Sequence, residues 1–340
     1  MQRSARHGLN SNYQFAGSIC HTPLLLFQLV LCYNGPERSR HMIEIKDLTK
    51  TFQDITAVNH VTLEIPEGLV FGLLGTNGAG KSTLLRMLSG ILKPDGGSIR
   101  IDGERNWDNP RVKENCFYLS DKQYFFPNAS PEAMGHFYKG LYPAFRFERY
   151  LNLLSEFDLD KFRKIRTFSK GMKKQIAILA SICAETPYLF CDEVFDGLDP
   201  VIRQSVTALI KTEMSRRPLT PVIASHNLKE LEDFCDHIGI LHKGGVLLSR
   251  DIHSMQYKTQ KLQCILKEEQ LSKFMEAADI VTVKQEGFLT TLLLRGRQDE
   301  ISTLIERFHP ERYAFLPLTL EEIFINETEA IGYDIKLLFS

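Results

Sequence analysis

The stretch Gly75-Thr76-Asn77-Gly78-Ala79-Gly80-Lys81-Ser82-Thr83 carries the densest chemistry in the chain. Its spacing is GxxxxGK[ST], a loop whose glycines let backbone N–H groups turn inward onto phosphate oxygens. Lys81 is placed to neutralise the β- and γ-phosphates, and the Ser82 hydroxyl to ligate Mg²⁺. A second cluster, Asp192-Glu193, ends the apolar run Tyr188-Leu189-Phe190-Cys191. An Asp at the C-terminal end of a buried strand can hold Mg²⁺ through water, and the Glu beside it can polarise an attacking water. Pro221 to Ser225 reads as a strand that delivers His226 to where a sensor of the γ-phosphate would sit. Ser169, within Phe168-Ser169-Lys170-Gly171-Met172, is placed as the N-cap of a helix carrying Ile176, Ala177, Leu179 and Ala180. Together these residues imply binding and hydrolysis of ATP with Mg²⁺. The Asn-Lys-x-Asp guanine reader of GTPases is absent from the sequence.

The elements that must hold these residues are legible around them. Ile43 and Ile45 alternate with polar residues, as do Val61, Leu63 and Ile65, which reads as two half-buried strands. Pro66-Glu67-Gly68 turns the chain, and Leu69 to Leu74 is the near-continuous apolar run of a strand buried on both faces. Leu84, Leu85, Met87 and Leu88 open a helix directly after the glycine loop, whose N-terminal dipole end favours phosphate.

Over residues 42–250 these four motifs, with Gly197-Leu198-Asp199-Pro200 as a fifth, resemble the ATP-binding subunit of a bacterial ABC-type transporter, of the branch whose permease is encoded separately. The resemblance implies an α/β fold: a P-loop NTPase with a RecA-like core, an antiparallel β subdomain and an inserted helical subdomain at about 118–170. It implies that Phe52 stacks on adenine and that Ser169 and Gly171 form the signature contact with the γ-phosphate of ATP held by a second subunit. Asp199, in Gly197-Leu198-Asp199-Pro200, would let the two sites sense each other, with Glu193 as general base and His226 as the switch histidine. The implied partners are a second ATPase subunit, the same or related, and a polytopic membrane permease on another chain, at the cytoplasmic face of the cell membrane. Three positions depart from the family pattern. Asp121 best fits the place of a usual Gln that approaches Mg²⁺, with Gln123 two residues late. Val194 replaces a Pro, and the signature reads Phe-Ser-Lys-Gly-Met instead of Leu-Ser-Gly-Gly-Gln. Export is the direction the resemblance favours.

Composition sets the outer bounds. The chain has 340 residues with 41 Lys+Arg against 42 Asp+Glu, a net of -1, which argues against a nucleic-acid partner held by bulk basicity. The apolar stretch Leu24 to Tyr33 is about half the roughly 20 residues a membrane span needs. Residues 1–41 hold four Arg, no Lys and one Glu. Arg3 and Arg6 before an apolar core suggest a signal peptide, but Pro23 and Gln28 interrupt that core and no small-x-small site follows. An extension outside the fold is the expectation. Seven scattered cysteines without a CxxC suit buried thiols in a reducing compartment.

Eleven aromatics fall between Phe117 and Tyr150, with Tyr124, Phe125 and Phe126 expected to be exposed toward a partner helix and the rest to fill a helical core. Residues 251–340 read as an accessory α+β domain without a catalytic constellation, in which Thr319-Leu320-Glu321-Glu322 is a capping box. A competing function is a soluble ABC-type ATPase acting on ribosomes or DNA. Against it, the chain has one cassette, and no heptads lie between the phosphate loop and Ser169.

Overall fold

The computed structural model describes residues 42–252, 254 and 258–329, with side chains up to 325. The extension expected over residues 1–41 lies outside the described residues. β1 (Met42–Phe52) and β2 (Ile55–Pro66) pair antiparallel, with Ile43, Ile45, Val61, Leu63 and Ile65 all on the buried face, as their alternation requires. β3 (Phe71–Leu74) runs into the glycine loop and then α1 (Lys81–Leu88). β4 (Gly96–Ile101) returns beside β1, and β5 (Glu104–Arg105) closes the edge of a sheet ordered β2-β1-β4-β5. The chain continues through α2 (Pro110–Glu114), β6 (Cys116–Leu119), α3 (Pro131–Leu141), α4 (Phe147–Glu156) and α5 (Lys170–Cys183). β7 (Tyr188–Asp192), α6 (Pro200–Arg216), β8 (Thr220–Ser225), α7 (Leu228–Glu232), β9 (His237–His242) and β10 (Gly245–Asp251) complete this part.

The second sheet is ordered β10-β9-β3-β8-β7-β6, parallel from β9 to β6 with β10 antiparallel at the edge. Its central strands are buried on both faces, which is why they read as unbroken apolar runs. Phe71 and Leu73 pack with Leu84, Leu85 and Leu88 of α1 and with Ile43 and Ile45 of the antiparallel sheet. Leu74, Leu189 and Ile223 face the other layer, with Ile176, Leu179 and Ile182 of α5. Each such side chain contributes about 1.5–3 kcal/mol when fully buried. The register aligns Leu74 with Ser225 and Asp192 with Ala224. The residues following three neighbouring strands therefore emerge along one carboxyl edge, the place where open parallel sheets bind ligands.

Between β6 and α5 sits the helical insertion. Ser130 caps α3 by accepting from the Ala133 N–H, and Tyr150 of α4 packs fully buried against Gly135. A Cβ at Gly135 would lie 2.8 Å from the Tyr150 ring, so the close approach of α3 and α4 requires glycine there. Phe117, Phe145 and Tyr150 fill the interior as expected. Of the trio expected outside, Tyr124 and Phe126 are exposed, but Phe125 packs half-buried against the core. In that loop successive side chains point to opposite sides, so three adjacent aromatics do not share one face.

β11 (Thr259–Ile265), α8 (Glu268–Ala277), β12 (Ile280–Glu286), β13 (Leu289–Arg295), α9 (Gln298–Glu306) and β14 (Arg312–Leu316) build a third, antiparallel sheet ordered β12-β13-β11-β14. Leu262, Cys264, Leu292 and Leu294 from this sheet meet Leu271, Phe274, Ile301 and Ile305 in a core of their own. The last helix, α10 (Leu320–Glu329), behaves differently. Its Leu320, Ile323 and Phe324 join Leu228, Leu231 and Phe234 in the ATPase-side core, and the Leu320 N–H donates to Glu232 Oε1 at 2.9 Å. The expected capping box is present: the Thr319 N–H donates to Glu322 Oε2 at 3.1 Å, and the Glu322 N–H to Thr319 Oγ1 at 3.3 Å. Cys116, Cys183, Cys191, Cys235 and Cys264 are buried free thiols, while Cys20 and Cys32 lie outside the described residues.

Candidate functional site

The glycine loop leaves β3 with the Gly75 N–H donating to the Ser225 carbonyl at 3.3 Å, tying its start to the neighbouring strand. Ala79 N–H closes a turn on the Thr76 carbonyl at 3.1 Å, and the crest at Asn77 and Gly78 is exposed. Gly80 carries φ of 103°, and a Cβ there would fall 2.1 Å from the Ala57 carbonyl oxygen. Only glycine lets the loop turn so tightly beneath β2. α1 starts at the next residue with no side chain capping its N-terminus. Its first N–H groups are thus open toward an anion, and Thr83 lies half-buried in that first turn.

Lys81 is only 5% exposed. Its ammonium donates to the Gly75 carbonyl at 2.6 Å and the Thr76 carbonyl at 3.2 Å, and lies 3.2 Å from Glu193 Oε1. Ser82 Oγ donates to Asp192 Oδ1 at 2.9 Å, and Tyr118 Oη donates to Asp192 Oδ2 at 3.1 Å. Arg86, one turn further along α1, donates through Nε to Tyr118 Oη at 3.3 Å. Asp192 is 1% exposed, and burial pushes its carboxyl above the usual range while the bonds from Ser82 and Tyr118 pull it back. Burial, with the Asp192 charge next to it, pushes the Tyr118 phenol up to about 12, so the hydroxyl stays a donor.

Glu193 follows in the left-handed region at φ 49°, an unusual conformation for a side chain of this size. Its N–H donates to the Ala224 carbonyl at 3.0 Å, and its Oε2 lies 2.9 Å from His226 Nδ1. His226 stands on the turn after β8. There Ser225 Oγ donates to the buried Glu230 at 2.7 Å, and Asn227 caps α7. Lys81, Glu193 and His226 thus form one bonded group and Ser82, Asp192 and Tyr118 another, side by side at the carboxyl edge of the sheet through the consecutive residues Asp192 and Glu193. Together they can take up a polyphosphate, ligate a hard cation and deprotonate a water.

The remaining expected residues stand apart from these two groups. Ser169 accepts from the Met172 N–H at 3.1 Å and caps α5, as expected. Asp199 accepts from the Val201 and Ile202 N–H groups at 3.1 and 3.0 Å and caps α6. A Cβ on Gly171 would lie 3.2 Å from the Gly197 carbonyl, so the start of α5 and the loop before α6 touch within one protomer. Phe52 is half exposed near the end of β1, with the Lys50 ammonium 5.4 Å over its ring.

The Asp121 carboxylate lies 3.6 Å from the ammonium of Lys174, a buried positive charge that attracts it. Gln123 folds back, its Nε2 donating to the Ser120 carbonyl at 2.8 Å. Tyr118, Arg86 and Lys174 were not found by sequence reasoning. Tyr118 stands in β6 just before the 120–127 loop, and its aromatic neighbours make it read as core.

The family model described as "ABC transporter" matches residues 58–196. The ABC transporter ATP-binding protein YtrB of Bacillus subtilis (strain 168) is 29% identical over 284 residues, covering 84% of this chain and 97% of that protein. The lantibiotic transport ATP-binding protein SrtF of Streptococcus pyogenes is 31% identical over 217 residues, covering 62% of this chain and 91% of that one. A solved ATP-binding subunit of an ABC transporter superposes with a TM-score of 0.59 at 27% identity, covering 63% of this chain and 92% of its own. With a phosphate loop, a buried Asp–Ser pair and a strand-end Glu–His pair on this fold, the chain belongs to the ATP-binding proteins of the ABC transporter family and is an ATPase.

Proposed function

We propose that two copies of this chain, or one copy and a related subunit, close head to tail on two ATP molecules and thereby drive a separate polytopic membrane permease. One observation carries the reading. The two bonded groups from Lys81 to His226 lie within one protomer, whereas Ser169 and Gly171 stand outside them, at the start of α5. A second protomer is needed to bring a signature helix onto the γ-phosphate, so ATP stabilises only the closed pair.

Ser82 and Asp192 offer two hard oxygens within 2.9 Å of each other, which fits Mg²⁺, and Mg²⁺ bound there supplies charge neutralisation at the β- and γ-phosphates. Phe52 stacks on the adenine. Lys81 exchanges its two loop carbonyls for phosphate oxygens. Glu193 takes the proton of a water whose oxygen attacks the γ-phosphorus, and the bond to the ADP oxygen breaks. His226, bonded to Glu193, orients that carboxylate and contacts the γ-phosphate.

The permease would dock on Tyr124, Phe126 and Phe137, three exposed rings in edge-to-face contact at centroid distances of 5.9 and 4.8 Å. No helix among the described residues is long and apolar enough to cross a membrane; in this reading the subunit docks on the permease from the cytoplasmic face. We read the direction as export, the sense favoured by the motif resemblance. The test is a pull-down of tagged Glu193→Gln protein with ATP from detergent-solubilised cells. A polytopic membrane protein is expected; ribosomal or DNA-bound partners alone would overturn the transport reading.

A further inference from the structure

Lys174 lies in the second turn of α5 and is 6% exposed. A buried ammonium must satisfy three N–H donors and find a countercharge, or it costs more than it contributes. Its donors go to the Glu193 carbonyl at 2.6 Å and the Asp196 carbonyl at 2.7 Å. Its countercharges are the carboxylates of Asp121 at 3.6 Å and Asp196 at 3.9 Å. One side chain thereby joins three segments: the signature helix it stands on, the loop carrying Glu193, and the loop that leads from β6 to the exposed Tyr124 and Phe126.

The Glu193 peptide is held at both ends, its N–H on Ala224 and its carbonyl on Lys174. That grip keeps the residue in its left-handed conformation and aims its carboxylate at His226 and Lys81. Asp121, by contrast, is half exposed and sits three residues before Tyr124. A neutral side chain at position 121 would leave the lysine one countercharge short. The acid at 121 and the amine at 174 are complementary.

We propose that Lys174 is a positioning residue that couples the 120–127 loop to the general base: displacement of Asp121 by a docked partner alters the lysine's hold on the Glu193 peptide and so the rate of hydrolysis. The proposal rests on Glu193 as base, and Glu193→Gln tests that assignment separately. In the full-length protein, Lys174→Gln is expected to lower kcat by roughly 10–100-fold, the scale of a small misplacement of a catalytic group. KM, and the Kd for ATP measured by equilibrium dialysis, should change by less than about threefold, a split that a general loss of folding does not produce. Lys174→Arg, which keeps charge and donors, is expected to retain most of the activity.

Asp121→Asn is expected to lower kcat in the same way but less. Its effect should shrink when combined with Lys174→Gln, because both changes break one interaction. Unchanged kcat in Lys174→Gln, or effects of the two substitutions that simply multiply, would overturn the coupling. Should Lys174→Gln melt below the assay temperature, Asp121→Asn decides alone, since this half-exposed position is not needed for packing. An Asp121→Asn protein with wild-type kcat then refutes the proposal. If Glu193→Gln itself hydrolyses ATP normally, the base assignment is what fails.

Discussion

In the proposed role Asp192 carries two conflicting demands: it would have to be ionised to hold a cation, yet it is buried where ionisation is disfavoured. Its carboxyl titrates above the ordinary range, so folding binds a proton more readily than the unfolded chain does. The sign follows. Stability is lost as pH rises from the ordinary carboxylate range through the raised folded value, and the penalty is complete above it. Asp192→Asn is therefore expected to raise the melting temperature of the nucleotide-free protein at neutral pH and flatten its pH dependence, while abolishing Mg²⁺-dependent hydrolysis. Calorimetry across pH checks this, and an unchanged or lower melting temperature would count against the burial argument. Tyr118→Phe removes one of the two donors on Asp192. It should raise the Mg²⁺ concentration for half-maximal ATPase activity by about tenfold, as loss of an outer-shell partner does. A titration with the unchanged Mg²⁺ midpoint of wild type would show the hydroxyl to be idle. Such partners were illegible in the sequence, because 74 positions separate Tyr118 from Asp192 and no local pattern joins them. Lys81, Ser82 and Glu193 were legible because their chemistry is written in consecutive residues or at a strand end.

The helices meet the site through their caps and one buried charge. Asp199 satisfies two N–H groups of α6, with Pro200 at the first helical position, so the carboxylate assigned to communication between sites also holds its own helix. Asp199→Ala should cost about 1 kcal/mol in a denaturant titration of the nucleotide-free protein, the usual worth of a cap. A loss of nucleotide cooperativity with no stability change would separate the two roles the other way. Glu213 of α6 is fully buried and bonded to Arg149 of α4 as well as to Arg216 and Arg217. Burial opposes its ionisation, but the Arg216 and Arg149 bonds outweigh it and hold the carboxyl below its ordinary range. Its contribution is therefore present above the ordinary carboxylate range and lost as pH falls through the lowered value. Glu213→Gln leaves Glu185 as the one carboxylate paired with Arg149, Arg216 and Arg217 among the described residues, and is expected to destabilise by about 1–3 kcal/mol. Thermal unfolding of the variant at pH 7 measures it, and a change within error would mean the cluster is solvated.

At the scale of the molecule, the strand order was legible only in outline. Apolar runs marked β3, β7 and β8 as buried, but pairing in a parallel sheet is non-local, so nothing in the sequence placed them side by side. The same limit explains α10, whose amphipathic pattern marks a helix without revealing which core receives it. Leu320, Ile323 and Phe324 enter the ATPase-side core while Glu322 pairs with Lys261 of β11 at 2.6 Å, so the last helix ties the third sheet to that core. Phe324→Ala should cost about 3–5 kcal/mol and lower the unfolding transition of the ATPase portion, not only that of the accessory sheet. In the proposed function, the phosphate-loop residues and a signature helix standing apart from them make a half-site that a second protomer closes. The most direct test is the molar mass of Glu193→Gln protein by light scattering, with and without ATP and Mg²⁺. A dimer that forms only with ATP is the expected result, whereas a protein that binds ATP yet stays monomeric would contradict the shared site.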